Sequence, residues 1–172
     1  MPKILYYFTL VWEGIAMKIK CANVSDAPII HYLLIEAFME YKNEVPPSSA
    51  LDETIQSIST ALENGEQALI GYSDEEPVGM VRFQIKEDHV YFSRLSVIPE
   101  RQGQGIAKKL LSSLEICAKQ KEKSTIWCKV RMTVPKNINL YRSMGYGIYD
   151  EKVVHKPSCM SVKVVSMKKQ LI

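Results

Sequence analysis

One stretch of the chain, residues 91–111, combines an apolar segment, a glycine-containing loop and a helix-like pattern. It reads YFSRLSVIPERQGQGIAKKLL. The aromatic and β-branched residues of its first part are typical of a strand, which Pro99 ends. Gly103 and Gly105 follow, and the next apolar residues recur at helical spacing. The stretch predicts a strand, a tight loop and a helix, and this order requires a sheet with the helix packed on one of its faces.

The glycine loop lies where the predicted helix begins. The first N–H groups of a helix have no partner inside the helix. Glycines allow the backbone to approach a ligand without a Cβ collision. Free donors and the positive end of the helix dipole then point the same way, so the loop is suited to bind a phosphate group.

Two common phosphate-binding loops do not fit this spacing. A P-loop requires Lys and then Ser or Thr directly after its second glycine, but Ile106 and Ala107 follow Gly105. A dinucleotide-binding fingerprint requires a third glycine where Lys108 stands. The pattern that remains is Gln102, two residues, Gly105, one residue and Ala107.

The size and composition of the chain favour one domain. It has 172 residues, of which 47% are apolar, enough to bury a core. The net charge of +3 is small and scattered, which argues against a nucleic-acid partner. The four cysteines show no C-x-x-C spacing and the three histidines lie far apart in sequence. We therefore expect reduced thiols, a cytoplasmic location, no metal site and no membrane or nucleic-acid partner.

Residues 1–16, MPKILYYFTLVWEGIA, are expected to be a leader outside the fold, and we place the domain at residues 17–172. The apolar run at residues 4–11 is too short to span a bilayer and lacks a small-residue cleavage site. Met17 begins a strand pattern. The codons of the preceding Trp12-Glu13-Gly14 would be purine-rich, as in a bacterial ribosome-binding site, so we expect Met17 to be the natural start.

From Met17 onward the elements follow an α/β (α+β) order. Short loops between three β-rich segments predict an antiparallel meander. The helix after the glycine loop crosses over to another strand, which predicts parallel pairing of that strand with the one before the loop. The predicted strands span residues 18–22, 67–72, 78–86, 90–97, 125–130, 147–154 and 161–167, and the predicted helices span residues 25–41, 51–62, 105–119 and 135–144.

Two motifs resemble those of the GNAT superfamily of N-acyltransferases. Residues 102–107, QGQGIA, are similar to its acyl-CoA pyrophosphate loop, and residues 137–146, NINLYRSMGY, are similar to its closing motif. The order of elements also matches, so the resemblance covers about residues 17–169. It implies the GNAT fold, with a mixed, mostly antiparallel sheet of about six to seven strands and about four helices on both faces. It also implies a V-shaped splay between the fourth and fifth strands counted from Met17.

The resemblance implies where acetyl-CoA binds as a co-substrate. Backbone groups of the splayed fourth strand would hydrogen-bond the pantetheine arm as if it were another strand. The pyrophosphate would lie on the glycine loop. Val134 occupies a position where the family commonly has asparagine, and Asn137 is taken as its substitute. The residues expected to contact acetyl-CoA are Leu95, Ser96, Val97, Gln102, Gly103, Gln104, Gly105, Ile106, Ala107, Lys108 and Asn137.

Tyr141 matches the position of the family's general acid. A tyrosine with a pKa of about 10 can protonate a departing thiolate with a pKa of about 8.5. The general base is less clear, because Tyr91 and Ser93 occupy the matching strand positions and neither is a base. Either they hold a proton-relaying water, or a carboxylate approaches from the first two helices, or the acceptor amine arrives neutral.

The first two helices are expected to cover the acceptor. Glu40, Tyr41, Glu44 and Glu53 could contact a cationic substrate there, and the three glutamates are the candidate bases. We expect an N-acetyltransferase that transfers the acetyl group of acetyl-CoA to a primary amine of a small molecule in a ternary complex, as a monomer or homodimer. The alternatives are a GNAT module that binds acetyl-CoA without turnover and an N-acetyltransferase of proteins or peptides.

Overall fold

A computed structural model describes residues 7–12 and 15–171 of the chain. Within these residues it has eight strands and four α-helices. The strands are β1 (Tyr7–Trp12), β2 (Ile15–Cys21), β3 (Gln67–Ser73), β4 (Glu76–Ile85), β5 (His89–Val97), β6 (Thr125–Arg131), β7 (Gly147–His155) and β8 (Ser161–Gln170), and the helices are α1 (Ala27–Phe38), α2 (Ile55–Glu63), α3 (Ile106–Gln120) and α4 (Pro135–Ser143).

The strands form one sheet in the order β1-β2-β3-β4-β5-β6-β8-β7. All neighbouring pairs are antiparallel except β5 and β6, which are parallel and joined through α3. This confirms the predicted mixed, mostly antiparallel sheet. The sheet has one strand more than the six to seven expected, because β1 lies within the expected leader.

Residues 7–12 extend the sheet at one edge. Tyr7–Trp12 pairs with β2 in antiparallel register, and β2 begins at Ile15, ahead of Met17. Residues 1–6, 13 and 14 lie outside the described residues. That residues 1–16 are a leader separate from the domain stays a prediction, although part of the segment is a strand here.

Helices cover both faces of the sheet, as expected. Because side chains alternate along a strand, neighbouring residues of β3 contribute to opposite cores. Ala68 and Ile70 pack with α1 and α2, whereas Leu69 packs on the face that carries α3 and α4. The core beneath α1 and α2 includes Ile30, Leu33, Leu34, Ile58 and Met80, and the core beneath α3 and α4 includes Phe83, Phe92, Leu110, Leu111, Leu114, Ile126 and Ile138.

The second helix begins four residues later than its apolar pattern predicts. Residues Ser49–Asp52 form a 3₁₀ turn, and Glu53 is extended. Thr54 caps α2 because its side chain accepts a hydrogen bond from the Ser57 N–H, while the Ser57 hydroxyl accepts from the Thr54 N–H. This reciprocal cap fixes the start of α2. As a result, Glu53 lies in the connection before the helix.

The parallel strands β5 and β6 separate after a short pairing. Their register runs from His89 opposite Thr125 to Tyr91 opposite Trp127 and ends there. The rest of β5, through Val97, continues without pairing to β6, although it still pairs with β4 on its other side. This confirms the predicted splay, which lies between β5 and β6 in the present numbering.

Candidate active site

The loop between β5 and α3 has a backbone that requires glycine at two positions. Gly103 has φ +75° and Gly105 has φ +78°, and α3 begins at Ile106. A left-handed conformation costs an L-residue roughly 1–2 kcal/mol. A Cβ added at either glycine would meet no atom within 4 Å. The backbone conformation therefore selects glycine here, and open space lies in front of the helix start.

Two glutamine side chains brace this loop. Gln102 donates from Nε2 to the Val97 carbonyl at 3.2 Å, and Gln104 donates to the Glu100 carbonyl at 3.5 Å. Gln102 thus ties the loop to the end of β5. A cavity lies beside this loop and is described below. Among the predicted coenzyme contacts, Gln104 and Ser96 do not line it. The Ser96 hydroxyl is buried and donates to the Arg94 carbonyl at 2.9 Å.

A cavity of about 520 Å³, here the loop cavity, lies between the glycine loop, the end of β5, α1 and α4. Most of the predicted acetyl-CoA contacts line it, and its cations are Arg101, Lys108 and Lys136. Such cations and the free N–H groups at a helix start favour phosphate oxygens. The predicted residues that line it are Glu40, Tyr41, Leu95, Val97, Gln102, Gly103, Gly105, Ile106, Ala107, Lys108 and Asn137.

A second cavity, of about 360 Å³, opens where β5 and β6 separate, and we call it the splay cavity. Phe38, Tyr41, Leu95 and Asn137 line both cavities, so the two adjoin through shared walls. An elongated ligand in the loop cavity can therefore present its end to the splay cavity. The predicted site residues that line the splay cavity are Tyr41, Glu44, Tyr91, Ser93, Leu95, Asn137 and Tyr141.

Tyr141 lies on α4 and reaches the splay cavity from the core side. Its side chain is 6% exposed and packs edge-on against the Phe92 ring, with ring centroids 5.5 Å apart. Burial raises the pKa of Tyr141 well above its ordinary value of 10.0. The hydroxyl is therefore protonated at neutral pH, and no hydrogen bond to it is found among the described residues.

Glu53 is held in an ion-pair cluster, which argues against its predicted roles as substrate contact and base. Its Oε1 accepts from Arg94 Nε at 2.6 Å, and its Oε2 accepts from Arg82. Arg82 also binds Glu66 through Nε and Nη2, at 3.0 and 2.6 Å. Both oxygens of Glu53 are thus occupied, and Glu53 lines neither cavity.

Glu40 is also paired. Lys136 donates to both of its carboxylate oxygens, at 2.7 and 2.8 Å, and lies 5.4 Å from the centre of the Tyr41 ring. Glu44 differs from the other two glutamates. It is half-buried, it lines the splay cavity, and its carboxylate makes no hydrogen bond or ion pair that the described residues record. Of the three carboxylates, Glu44 is the one free to act in this cavity.

Tyr91 and Ser93 lie on the face of β5 toward α1 and α2, and both line the splay cavity. The Tyr91 ring packs against Trp127, with centroids 5.0 Å apart. Burial raises the pKa of Tyr91, with a smaller contribution from Cys128. Tyr91 and Ser93 therefore provide neutral hydroxyl groups to the cavity.

Sequence reasoning missed the cations of the splay cavity. Arg94, Lys129 and Arg131 line it, and none was assigned a role. The alternation of side chains along β6 could have indicated two of them. Cys128 and Val130 are buried on one face of the strand, so Lys129 and Arg131 lie on the other face. Arg94 had no such signal, since it lies at an irregularity of β5 and has φ +55°.

Within the described residues, no group of three or more His, Cys, Asp or Glu side chains is placed to hold a metal ion. Across those same ranges, no helix is both long and apolar enough to span a membrane.

Comparisons with known proteins agree with this geometry. The family model described as the acetyltransferase (GNAT) family matches residues 31–146, more than half of the chain. The uncharacterized N-acetyltransferase YjcF of Bacillus subtilis (strain 168) is 25% identical over 121 residues, which are 70% of this chain and 78% of that protein.

Solved structures share the fold at low identity. The ribosomal-protein-S18-alanine N-acetyltransferase of Escherichia coli has a TM-score of 0.74 and 16% identity, over 90% of this chain and 94% of its own. The putative acetyltransferase yncA of Salmonella typhimurium, solved with its cofactor acetyl-CoA, has a TM-score of 0.72 and 19% identity, over 91% and 94% of the two chains.

Proposed function

Because this chain belongs to the acetyltransferase (GNAT) family and is therefore an acyltransferase that uses acetyl-CoA, we propose that it acetylates a primary amine of a small molecule by direct attack in a ternary complex. The observation that carries the proposal is the placement of Tyr141 and Glu44 in one cavity. This splay cavity adjoins the loop cavity through shared walls. The co-substrate and the amine thus have adjoining compartments.

The loop cavity has hydrogen-bond donors and cations that suit the phosphate groups of acetyl-CoA. The first-turn N–H groups of α3 and the cations Arg101 and Lys108 would hold the pyrophosphate. The unpaired edge of β5 beyond Tyr91 offers backbone groups to the pantetheine arm. Bound acetyl-CoA supplies the thioester whose carbonyl carbon the amine attacks.

In the splay cavity, Glu44 is proposed as the general base. An alkylammonium with a pKa of about 10.4 must lose a proton to solvent before its nitrogen can attack. When the new C–N bond forms, the nitrogen must lose a second proton, and Glu44 Oε would accept it, directly or through water held by Tyr91 and Ser93. The carboxylate is available because it has no ion-pair partner among the described residues.

Tyr141 is proposed as the general acid. As the C–S bond breaks, its hydroxyl would donate a proton to the departing sulfur. Burial raises the pKa of Tyr141, and an enclosed cavity also disfavours a charged thiolate, so both groups favour the neutral form in the same surroundings. Proton transfer to sulfur therefore accompanies the release of CoA.

The test is the release of CoA thiol from acetyl-CoA with a panel of primary amines, together with mass spectrometry of the products. The panel holds polyamines, aminoglycosides, amino acids and peptides with a free N-terminus. We expect turnover with a small-molecule amine and an acetylated product. Turnover with peptides alone would replace the proposal by a protein N-acetyltransferase. Tight binding of acetyl-CoA without turnover of any amine would replace it by a non-catalytic module.

A further inference from the structure

The cations that line the splay cavity outnumber its carboxylates. Arg94, Lys129 and Arg131 line it, against one lining carboxylate, Glu44. Arg94 is already paired with Glu53. The other two cations make no ion pair among the described residues, although the charge of Glu44 in the same cavity acts on Arg131.

Arg131 is the central observation. It lies at the end of β6, and its guanidinium donates to two neutral backbone carbonyls, from Nη1 to Pro46 at 2.6 Å and from Nη2 to Pro47 at 3.0 Å. These bonds fix its position without neutralising its charge. Partial burial lowers the pKa of Arg131; the charge of Glu44 opposes this shift, and the charge of Arg94 adds to it. A partly buried guanidinium held in this way attracts an anion.

Lys156 adds to the same charge. Its Nζ donates to the Pro47 carbonyl at 3.4 Å, which brings it beside the group that Arg131 holds. Partial burial, and then the charges of Arg131 and Arg94, lower the pKa of Lys156, and Asp52 opposes them. Lys129 is exposed at the mouth of the cavity. Arg131 and Lys129 thus line the cavity, with Lys156 beside them, and Glu44 is the lining carboxylate that makes no ion pair among the described residues.

We infer that the acceptor amine carries an anionic group, a carboxylate or a phosphate, and that Arg131, assisted by Lys129 and Lys156, binds this group while the amine faces Glu44. The inference rests on the proposed function, because it takes the splay cavity as the acceptor site. It reverses the sequence-based expectation of a cationic substrate. Two of the glutamates on which that expectation depended, Glu40 and Glu53, are paired within the protein.

The experiment compares amines that differ only in the anionic group. One pair is L-alanine and L-alaninamide, and the other is glucosamine 6-phosphate and glucosamine; spermidine serves as a purely cationic amine. Dissociation constants are measured by calorimetry with the full chain saturated with CoA, so the readout does not depend on turnover. We expect the anionic member of at least one pair to bind about tenfold more tightly or better, as hydrogen bonds to charged groups provide. The pair that shows the preference identifies the bound anionic group as a carboxylate or a phosphate.

The variants assign the preference to residues. Arg131→Gln should remove it, and Arg131→Lys should restore part of it. Because Arg131 also anchors the loop at Pro46 and Pro47, Lys129→Gln, at an exposed position without a described partner, tests the same charge with little risk to folding and should weaken the preference. Lys119→Gln, exposed on α3 and lining neither cavity, removes the same charge elsewhere and should leave it unchanged.

The outcomes separate the inference from the proposed function. Equal or tighter binding of the members without the anionic group in both pairs, tighter binding of spermidine, or failure of every amine to bind overturns the inference. An anion preference that Arg131→Gln leaves intact also overturns it. If the preference is present but no amine releases CoA thiol, the proposed function fails and the anion site stands.

Discussion

Arg94 and Glu53, 41 residues apart in sequence, meet through an ion pair of 2.6 Å between Nε and Oε1. Arg94 reaches this position from an irregularity in β5, where its φ of +55° departs from strand geometry. Such a conformation costs roughly 1–2 kcal/mol, which the ion pair helps to offset. The pair links Arg94 in the wall of the splay cavity to the connection before α2, so we expect it to stabilise this part of the fold.

We therefore expect Glu53→Gln to act on stability and not on proton transfer. Glu53 is 17% exposed and pairs with two arginines. Its replacement leaves Arg94 without an ion pair, while Arg82 keeps Glu66, and should cost about 1–3 kcal/mol in the free energy of unfolding. Denaturant unfolding measures this loss. In the fraction that is folded, the pH dependence of kcat should match that of the wild type; loss of the acidic limb of that profile would instead make Glu53 a base.

Glu44→Gln should show the opposite behaviour. Its carboxylate has no described partner, so its replacement should leave the free energy of unfolding nearly unchanged. The rate of acetyl transfer should fall by about 10²-fold or more at neutral pH, because no carboxylate then accepts the second proton of the nitrogen as the C–N bond forms. The control is Glu36→Gln, an equal change of charge at an exposed position of α1 that lines neither cavity. A rate for Glu44→Gln equal to that of the control would exclude Glu44 as the base.

Tyr141→Phe should lower kcat by about 10²-fold or more with little change in KM, since it removes the proton donor and keeps the ring that packs on Phe92. Tyr146→Phe is the matched control. Tyr146 is also buried and packs on Phe92, but its hydroxyl donates to Glu115 at 3.0 Å, outside both cavities. That substitution should reduce stability and leave kcat unchanged. Equal effects of the two substitutions on kcat would argue against Tyr141 as the acid.

Gly79→Ala should destabilise the protein more than Gly71→Ala. A Cβ at Gly79 would lie 2.8 Å from the Ser96 carbonyl oxygen and 3.2 Å from side-chain atoms of Ile106 and Leu110, so strand and helix would have to separate. We expect a cost of about 1–3 kcal/mol, measured by denaturant unfolding, and weaker binding of acetyl-CoA. At Gly71 the close contact is the flexible end of Met17, which can move. Equal costs would show that the Gly79 contact relaxes freely.

Stability should fall in alkaline solution because of the buried Cys128. Burial raises the pKa of its thiol, whereas the unfolded thiol ionises with a pKa of about 8.5. Because the pKa of this thiol is higher in the folded state than in the unfolded state, the stability that the protonated thiol contributes is complete below the pKa of the unfolded state. This stability is lost as pH rises above that value, by up to about 1.4 kcal/mol per pH unit. Denaturant unfolding from pH 8 upward, relative to Cys128→Ala, should show this slope. Cys159→Ala, at an exposed position, should keep the wild-type slope.

The sequence predicted most of the fold because its helices and strands differ clearly in period and are separated by short turns. The crossover from β5 through α3 to β6, the glycine loop and the splay were all expected. The predicted start of α2 was wrong by four residues. Leu51 fits a helical pattern, but the cap formed by Thr54 determines where the helix begins. The first strand of the structure was not expected at all.

The candidate site was less predictable than the fold. Short motifs indicated Tyr141 and the loop, since their residues are close in sequence. The ion pairs of Glu40 and Glu53 were not visible, because their partners lie 96 and 29 to 41 residues away. Arg131 could be placed on the right face of β6, but its bonds to Pro46 and Pro47 depend on the tertiary structure.

The separation of β5 from β6 also bears on how the domain holds together. Only three residue pairs connect strands β1 to β5 with strands β6 to β8, so few backbone hydrogen bonds join the two halves of the sheet. The core residues of α3, Leu111 and Leu114 among them, share one cluster with Phe92 from one half and Ile126 from the other. Cooperative unfolding of the two halves therefore depends on this helix more than on the sheet, and the glycine loop that begins the helix lies at the joint between them.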